Sequence, residues 1–294
     1  MGIALVLVSA TAFGTNAIFG KLAYAAGLGT SQTLAFRFLL GALGMWALAI
    51  ALRQNPLRFP RKRLLTLLAL GAVFYTAQSF SYFTALRTLP ASLVVLIAYI
   101  YPSQVVIVGW LFLHRRISLW AAVTLVASFT GVLLLLGGAQ MQLSWGLLFA
   151  VAAPTVYTSY ILVGETVMSD VPAVGASAVI ISGAAVMFAI IAGLGGELRL
   201  PATAGGWAVA FGIALIPTMI AISTFLAGLP RIGAARSSLI STWEPVVTIF
   251  LAVILFHDSF TALQVLGGVL ILGAVVLQAG RLGVAAPAEA AVRN

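Results

Sequence analysis

The sequence predicts an all-α membrane protein in which ten transmembrane helices form two inverted five-helix repeats around a central cavity. Composition is the first reason: 62% of the 294 residues are hydrophobic and 7% are charged, too few polar groups to cover a water-soluble fold. The second is a series of apolar runs of about 20 residues, the length that one bilayer crossing needs. The third is an internal repeat, in which Pro102 and His114 recur 143 positions later as Pro245 and His257.

The predicted spans follow one another with short connections, so no sizeable soluble domain is expected. They cover residues 3–25, 32–51, 64–86, 91–113, 119–138, 144–164, 174–194, 205–227, 232–256 and 260–281. Five spans fall in each half, which predicts a first repeat over 1–138 and a second, inverted repeat over 144–281. The Ala-rich segment 282–294 is predicted to be a disordered cytoplasmic tail.

The basic residues predict the orientation of the chain. Five of them, Arg53, Arg58, Arg61, Lys62 and Arg63, lie in the connection between the second and third spans. The loops expected on the opposite side carry only Arg87 and Arg199. Because cytoplasmic loops are rich in Lys and Arg, we expect both termini in the cytoplasm and the protein in the plasma membrane, the inner membrane of a bacterium.

The net charge of +9 does not indicate a nucleic-acid partner, since the basic residues lie in short loops between apolar runs. The chain has no cysteine, which excludes thiol catalysis, cysteine-bound metals and disulfides. No metal-spaced cluster, phosphate-binding glycine loop or nucleophile triad is present. We therefore expect neither an enzyme nor an ATP-driven pump, and no metal or other cofactor.

Other matched positions support the duplication. Gly20-Lys21 in the first span corresponds to Gly164-Glu165 in the sixth at a separation of 144, and Gly71 corresponds to Gly212 at 141. An odd number of spans separates the copies, so they must cross the bilayer in opposite directions. Inverted repeats of this kind are typical of transporters, whose substrate site lies between the halves near the midplane.

Two of the repeated segments carry a resemblance to a known family. The run from Ala98 to Ser103, with Pro102, resembles the fourth-helix motif of the drug/metabolite transporter superfamily. Trp243–Val246, which contains Glu244 and Pro245, resembles the ninth-helix motif of its ten-span EamA-type exporters. Arg37-Phe38 in the second span also fits.

This resemblance covers essentially the whole chain. Within the superfamily the chain is most similar to YddG-type exporters of aromatic amino acids, on overall likeness and on the Tyr-rich third and fourth spans. It departs from many relatives at His114 and His257, where an acidic residue is usual, so any role of those acids does not carry over.

The third span presents a polar and aromatic stripe. Tyr75, Gln78, Ser79 and Tyr82 stand at i, i+3, i+4 and i+7 and therefore share one helical face. Such a face suits the wall of a cavity that binds rings and charged groups. The alternative is hydrogen bonding between packed helices, with Tyr82 in an interfacial belt.

The ninth span has a comparable face, formed by Ser237, Ser241, Glu244 and Thr248. Glu244 is the one acid in the interior of a predicted span, where an ionised carboxylate costs several kcal/mol unless it meets water or a partner. It could receive a substrate ammonium group, carry a coupling proton, or cap the backbone gap that Pro245 opens.

Pro102 and Pro245 are hinge candidates, because each removes a helical hydrogen bond at membrane depth. A static kink is the alternative. Aromatic residues near these prolines are expected to stack flat substrate rings and to attract an ammonium group: Tyr99, Tyr157, Tyr160 and Trp243. On a regular helix Tyr99 and Tyr101 point about 160° apart, so we expect Tyr99 alone to face the cavity.

Two basic residues complete the candidate site. Lys21 and Arg37 lie one to two turns inside the outer face and could attract a substrate carboxylate, or could extend to the lipid headgroups instead. The whole pattern predicts a secondary exporter of small amphipathic metabolites, above all aromatic and other bulky apolar amino acids, working as a monomer. The alternatives are export of another solute, such as a drug, nucleobase or sugar derivative, and a non-transporting membrane scaffold.

Overall fold

The computed structural model describes residues 1–113, 119–138, 144–167, 171–232, 237 and 240–290, and these contain helices and connections but no β-strand. The first half comprises α1 (Gly2–Gly14), α2 (Asn16–Ala25), α3 (Thr30–Ala51), α4 (Arg61–Ala69), α5 (Thr76–Leu86), α6 (Ala91–Ala98), α7 (Tyr101–Leu113) and α8 (Leu119–Gly138). The second half comprises α9 (Trp145–Val167), α10 (Ala173–Leu194), α11 (Ala204–Ala214), α12 (Ala221–Ile232), α13 (Trp243–Phe256) and α14 (Ala262–Ala290).

Among the described residues, seven helical segments are long and apolar enough to cross a membrane. They are Gly2–Ala25, Thr30–Ala51, Arg61–Leu86, Ala91–Val108, Trp145–Gly164, Ala173–Leu194 and Ala204–Leu229. Three shorter apolar helices, Ala122–Leu135, Trp243–Phe256 and Ala262–Leu277, overlap the predicted fifth, ninth and tenth spans. The described residues are thus helical, with segments long and apolar enough to span a membrane, and a total of ten spans remains a prediction.

Some residues named in the sequence predictions lie outside the described part of the structure. They are His114, residues 291–294 and the side chains of Pro102 and Glu165. Helix α14 continues to Ala290, beyond residue 281, where the sequence predicts the start of a disordered tail.

The contacts between helices follow the repeat. Helix α3 packs along α10 and α8 packs along α14, which pairs the second predicted span with the seventh and the fifth with the tenth. Helix α1 packs on α12 and α13, while α9 packs on α5 and α6. These two sets of contacts correspond: exchanging the two halves converts the packing of α1 on α12 and α13 into the packing of α9 on α5 and α6. The two halves therefore face each other through matching helices.

Glycines allow the closest helix crossings. The carbonyl group of Ile180 in α10 lies so close to Gly71 that no side chain fits there. A methyl group at Gly131 of α8 would lie 2.6 Å from the carbonyl oxygen of Gly267 in α14. Membrane helices associate through small residues in this way because lipid provides no hydrophobic drive between them.

Five predicted spans are irregular in their middle. Helices α1 and α2 meet at Thr15, α6 and α7 meet at Tyr99–Ile100, and α13 begins after Thr242. Tyr99 and Thr242 are 143 positions apart, and each precedes its repeated proline by three positions. The prolines therefore begin new helical segments, as their missing N–H favours.

The other two irregular spans each contain a π-turn. The first π-turn, Leu70–Tyr75, joins α4 to α5, and the second π-turn, Leu215–Ile220, joins α11 to α12. They occupy matched places in the third and eighth predicted spans. Single π-turns inside helices occur frequently at functional sites. The first packs on α9 and α10 of the other half, and the second packs on α1 and α3 of the other half.

Candidate functional site

A cavity of about 370 Å³ lies between the two halves of the molecule. Its wall is formed in the first half by α1 to α3, α5 to α7 and the end of the first π-turn, and in the second half by α9, α10, α12 and α13. Irregular backbone at membrane depth is tolerated where it borders such a cavity, since its polar groups can then be satisfied. The interrupted spans and the cavity therefore occur together, because the cavity can satisfy backbone polar groups that the interruptions leave unpaired.

The cavity wall contains nine of the ten residues that the sequence predicts for substrate binding. They are Tyr75, Gln78, Ser79, Tyr82, Tyr99, Tyr157, Tyr160, Ser241 and Glu244, and Arg37 lies on the same wall. The third-span stripe lines the cavity along its whole length, because its spacing keeps all four side chains on one face.

Trp243 does not line the cavity, contrary to the prediction. Its side chain is 46% exposed and its indole Nε1 donates a hydrogen bond to Thr11 Oγ1 at 3.2 Å. Adjacent positions on a helix point about 100° apart. Because Glu244 faces the cavity, Trp243 faces away from it.

Lys21 also lies outside the cavity wall. It is half-buried at the level of Asp258, whose carboxylate attracts it electrostatically. Asp258 Oδ2 in turn accepts a hydrogen bond of 2.6 Å from Ser92 Oγ at the start of α6. Lys21 therefore belongs to a polar cluster near the end of the spans, and Arg37 is the basic residue that reaches the cavity.

The two proline segments are joined through Tyr99. The carbonyl of Ser241 stands four positions before Pro245, which has no N–H to offer it. The hydroxyl of Tyr99 donates to this carbonyl at 2.9 Å and lies 3.1 Å from Glu244 Oε2. The Tyr99 hydroxyl therefore provides the hydrogen bond that Pro245 cannot give to the Ser241 carbonyl. The Glu244 carboxylate remains on the cavity wall.

Tyrosine rings form a continuous band along the cavity. Tyr75 stacks on Tyr160 with ring centroids 5.5 Å apart, and Tyr160 stacks on Tyr157 at 5.7 Å. Tyr157 meets Tyr101 edge to face at 5.0 Å, and Tyr101 meets Tyr99 at 6.2 Å. Ring pairs with these separations attract one another and hold the band in place.

Tyr101 lines the cavity, although the helical rule predicts that it faces away. Both Tyr99 and Tyr101 line the cavity, whereas a regular helix would direct them to opposite sides. The backbone between α6 and α7 is not helical at Tyr99–Ile100. The 160° separation therefore does not apply, and the two rings turn to the same side.

Arg37 is held among aromatic rings with part of its guanidinium free. It is 4% exposed, and its Nε donates to Thr218 Oγ1 at 3.0 Å. The guanidinium carbon lies 5.0 Å from the ring centre of Phe38 and 5.6 Å from that of Phe83.

Among the described residues, the Nη groups of Arg37 have no hydrogen-bond partner, and Arg37 lines the cavity wall. They therefore face the cavity, where they can donate to an anionic group.

Other residues that line the cavity are not among those predicted from the sequence. They come from α1, α2, α10 and α12, through Phe13, Asn16, Ser177 and Phe225. Asn16 stands at the break between α1 and α2, and its buried Oδ1 has no hydrogen-bond partner in the described part of the chain. A lone amide in an apolar run was the available sequence signal for this position.

The cavity wall extends between two ends of the helix bundle. At one end stand Tyr82, Phe83 and Val95, none of which is more than 7% exposed. The Tyr24 hydroxyl adds a hydrogen bond of 2.6 Å to the carbonyl of Phe83. The wall extends the other way to Ser177 and Leu226, near the start of α10 and the end of α12.

Comparisons with known proteins agree with this architecture. A model of the EamA-like transporter family matches residues 1–137 and 144–279. Among 22 matching chains of solved structures, a crystal structure described only as that of a protein has a TM-score of 0.64 at 18% sequence identity, and the match covers 94% of this chain and 96% of that one. This likeness concerns the fold alone. No curated protein sequence matches the chain.

Proposed function

The chain belongs to the EamA-like transporter family, and we propose that it is a secondary exporter of small amphipathic metabolites, above all aromatic and other bulky apolar amino acids. The observation that carries this proposal is the content of the cavity. Its described wall has one carboxylate, that of Glu244, and one guanidinium, that of Arg37, with a band of tyrosine rings.

The two charges suit a zwitterion. A free amino acid carries an ammonium group and a carboxylate on neighbouring atoms, and each would meet a partner of opposite charge. Glu244 is proposed to receive the ammonium group, which the neighbouring rings also attract. Arg37 is proposed to receive the carboxylate through its free Nη groups, since a guanidinium matches a carboxylate in a two-point contact.

The tyrosine band suits a flat side chain. Tyr75 and Tyr157 each stack on Tyr160, and an aromatic ring of the substrate could extend the same kind of contact. The volume of about 370 Å³ lies at the small end of the range of roughly 300–1,000 Å³ found for ligand sites. It therefore favours an amino acid over a drug-sized molecule.

Transport is proposed to follow alternating access. The cavity lies between the two halves and both halves contribute to its wall. Rocking of one half against the other would open it to each side of the membrane in turn. Pro102 and Pro245 are proposed as the hinges, because the predicted fourth and ninth spans are interrupted just before them.

Flux into proteoliposomes tests the proposal. Purified protein should carry radiolabelled phenylalanine and tryptophan in a saturable manner, with inhibition by unlabelled substrate. Protein-free liposomes of the same lipid composition are the control for leak. Absence of saturable flux with every amino acid would refute the proposed substrate class. Thermal stabilisation by a panel of drugs, nucleobases and sugar derivatives would then identify the alternative, because a bound solute stabilises the folded protein.

The proposed location is the plasma membrane of a bacterium, with both termini in the cytoplasm. Since the chain has no cysteine, single cysteines at Arg63 and Arg199 can report orientation without further engineering. A membrane-impermeant thiol reagent added to intact cells should label the cysteine at position 199 and not the one at position 63. The reverse pattern would refute the orientation.

A further inference from the structure

We propose that Thr218 is a positioning residue for substrate recognition, which holds Arg37 in the orientation that receives a carboxylate. This inference rests on the proposed function. It concerns a residue that does not itself line the cavity, so its effect must pass through the arginine.

The hydroxyl of Thr218 donates one hydrogen bond and accepts another. Thr218 is fully buried, and its Oγ1 donates to the carbonyl of Ile213 at 3.0 Å. This use of the hydroxyl hydrogen leaves the oxygen lone pairs as acceptors, and Arg37 Nε donates to them at 3.0 Å. A hydroxyl with its hydrogen already committed is a fixed acceptor rather than a freely rotating one.

The second π-turn explains why Thr218 is anchored. The carbonyl of Ile213 stands four positions before Pro217, which has no N–H with which to pair it. The Thr218 hydroxyl takes the place of that missing donor. The acceptor for Arg37 is therefore part of the backbone irregularity of the eighth predicted span.

The rest of the arginine is held by packing. Phe38 and Phe83 both lie within cation–π distance of the guanidinium. With Nε bound to Thr218, the edge that carries the Nη groups is the one left for the cavity. An anion site of this kind gains affinity because its donors are oriented before the ligand arrives.

The first π-turn provides a matched control. Thr76 Oγ1 donates to the carbonyl of Gly71 at 3.0 Å, the same five-residue spacing as in the pair Thr218 and Ile213. Thr76 is likewise buried, but among the described residues it accepts no bond from an arginine. Thr76→Val therefore removes a buried hydroxyl of the same spacing at the first π-turn, where the Thr76 backbone N–H still pairs with the Gly71 carbonyl, and leaves the bond between Arg37 and Thr218 in place.

The experiment compares two probes on purified wild-type protein, Thr218→Val, Thr218→Ser and Thr76→Val. L-phenylalanine has the carboxylate and phenethylamine lacks it. We expect Thr218→Val to weaken phenylalanine binding by about tenfold, as loss of a hydrogen bond to a charged group implies. Phenethylamine affinity should stay within about twofold of wild type. Thr218→Ser keeps the hydroxyl and should restore phenylalanine binding, and Thr76→Val should affect both probes alike.

The outcomes separate this inference from the proposed function. Equal weakening of both probes in Thr218→Val, or unchanged phenylalanine binding, would overturn the positioning role and leave the exporter proposal standing. If wild-type protein bound no amino acid, the proposed function would fail first. If Thr218→Val did not fold, Thr218→Ala would take its place, and failure of both to fold would show a structural role and overturn the inference.

Discussion

The hydroxyl of Tyr99 donates a hydrogen bond of 2.9 Å to the carbonyl of Ser241, the backbone acceptor that Pro245 leaves without a helical donor. Tyr99 stands at the break in the fourth predicted span, and Ser241 stands at the break in the ninth. One side chain thus links the interrupted segments of both repeats at the cavity wall. A change at Tyr99 should therefore affect stability and transport together.

Tyr99→Phe keeps the ring and removes this bond. Leaving the Ser241 carbonyl without its partner should lower the free energy of unfolding by about 1–2 kcal/mol, and flux should fall severalfold. Thermal unfolding in detergent and proteoliposome flux measure the two effects. Tyr101→Phe is the stability control, because the Tyr101 hydroxyl has no bonded partner among the described residues. Equal unfolding temperatures for both variants would contradict the role of the bond.

Glu244→Gln keeps the shape of the side chain and removes its charge. Because the ammonium group would lose its partner, we expect phenylalanine affinity to fall at least tenfold. The affinity of phenylpropionate, which lacks an ammonium group, should not fall. Isothermal titration calorimetry with both compounds provides the comparison. If the two affinities fell in parallel, Glu244 would be acting on the structure rather than on the ammonium group.

Pro102→Ala and Pro245→Ala distinguish a hinge from a fixed kink. Alanine restores an N–H that can pair with the carbonyl four positions earlier, so each variant should be as stable as wild type or more so. If the prolines are hinges, flux should nevertheless drop. Flux and thermal unfolding must be measured on the same preparations. Normal flux in both variants would favour a fixed kink.

Gly131→Ala tests the packing of α8 on α14. The new methyl group would lie 2.6 Å from the carbonyl oxygen of Gly267, and overpacking of this kind costs about 1–3 kcal/mol. Gly273→Ala is the matched control, because an added methyl group there meets nothing within 4 Å. The unfolding temperature should fall for the first variant alone. Substrate affinity should be unchanged in both, since neither helix contributes to the cavity wall.

Sequence patterns predicted those parts of the cavity wall whose residues share one face of a span. The spacing of Tyr75, Gln78, Ser79 and Tyr82 was sufficient to place them on one cavity face. A single acid in an apolar span was likewise sufficient to select Glu244, because intramembrane acids rarely face lipid.

The sequence did not predict the effects of a backbone that departs from a regular helix. Nor did the depth of a residue in a span predict the direction in which its side chain points. Tyr101 was missed because the interruption at Tyr99–Ile100 rotates it towards the cavity. Trp243 was included for its depth in the span, although its position beside Glu244 turns it away. The π-turns were not foreseen either: Pro217 could have indicated the second one, but the first contains no such residue.

The central claim is that one cavity receives both charges of an aromatic amino acid. Competition against radiolabelled phenylalanine flux in proteoliposomes tests it most directly, with unlabelled phenylalanine, phenethylamine and phenylpropionate as competitors. Unlabelled phenylalanine should inhibit at a concentration at least about tenfold lower than either analogue, because each analogue leaves Arg37 or Glu244 without its partner. Equal inhibition by phenylalanine and by either analogue would contradict the claim.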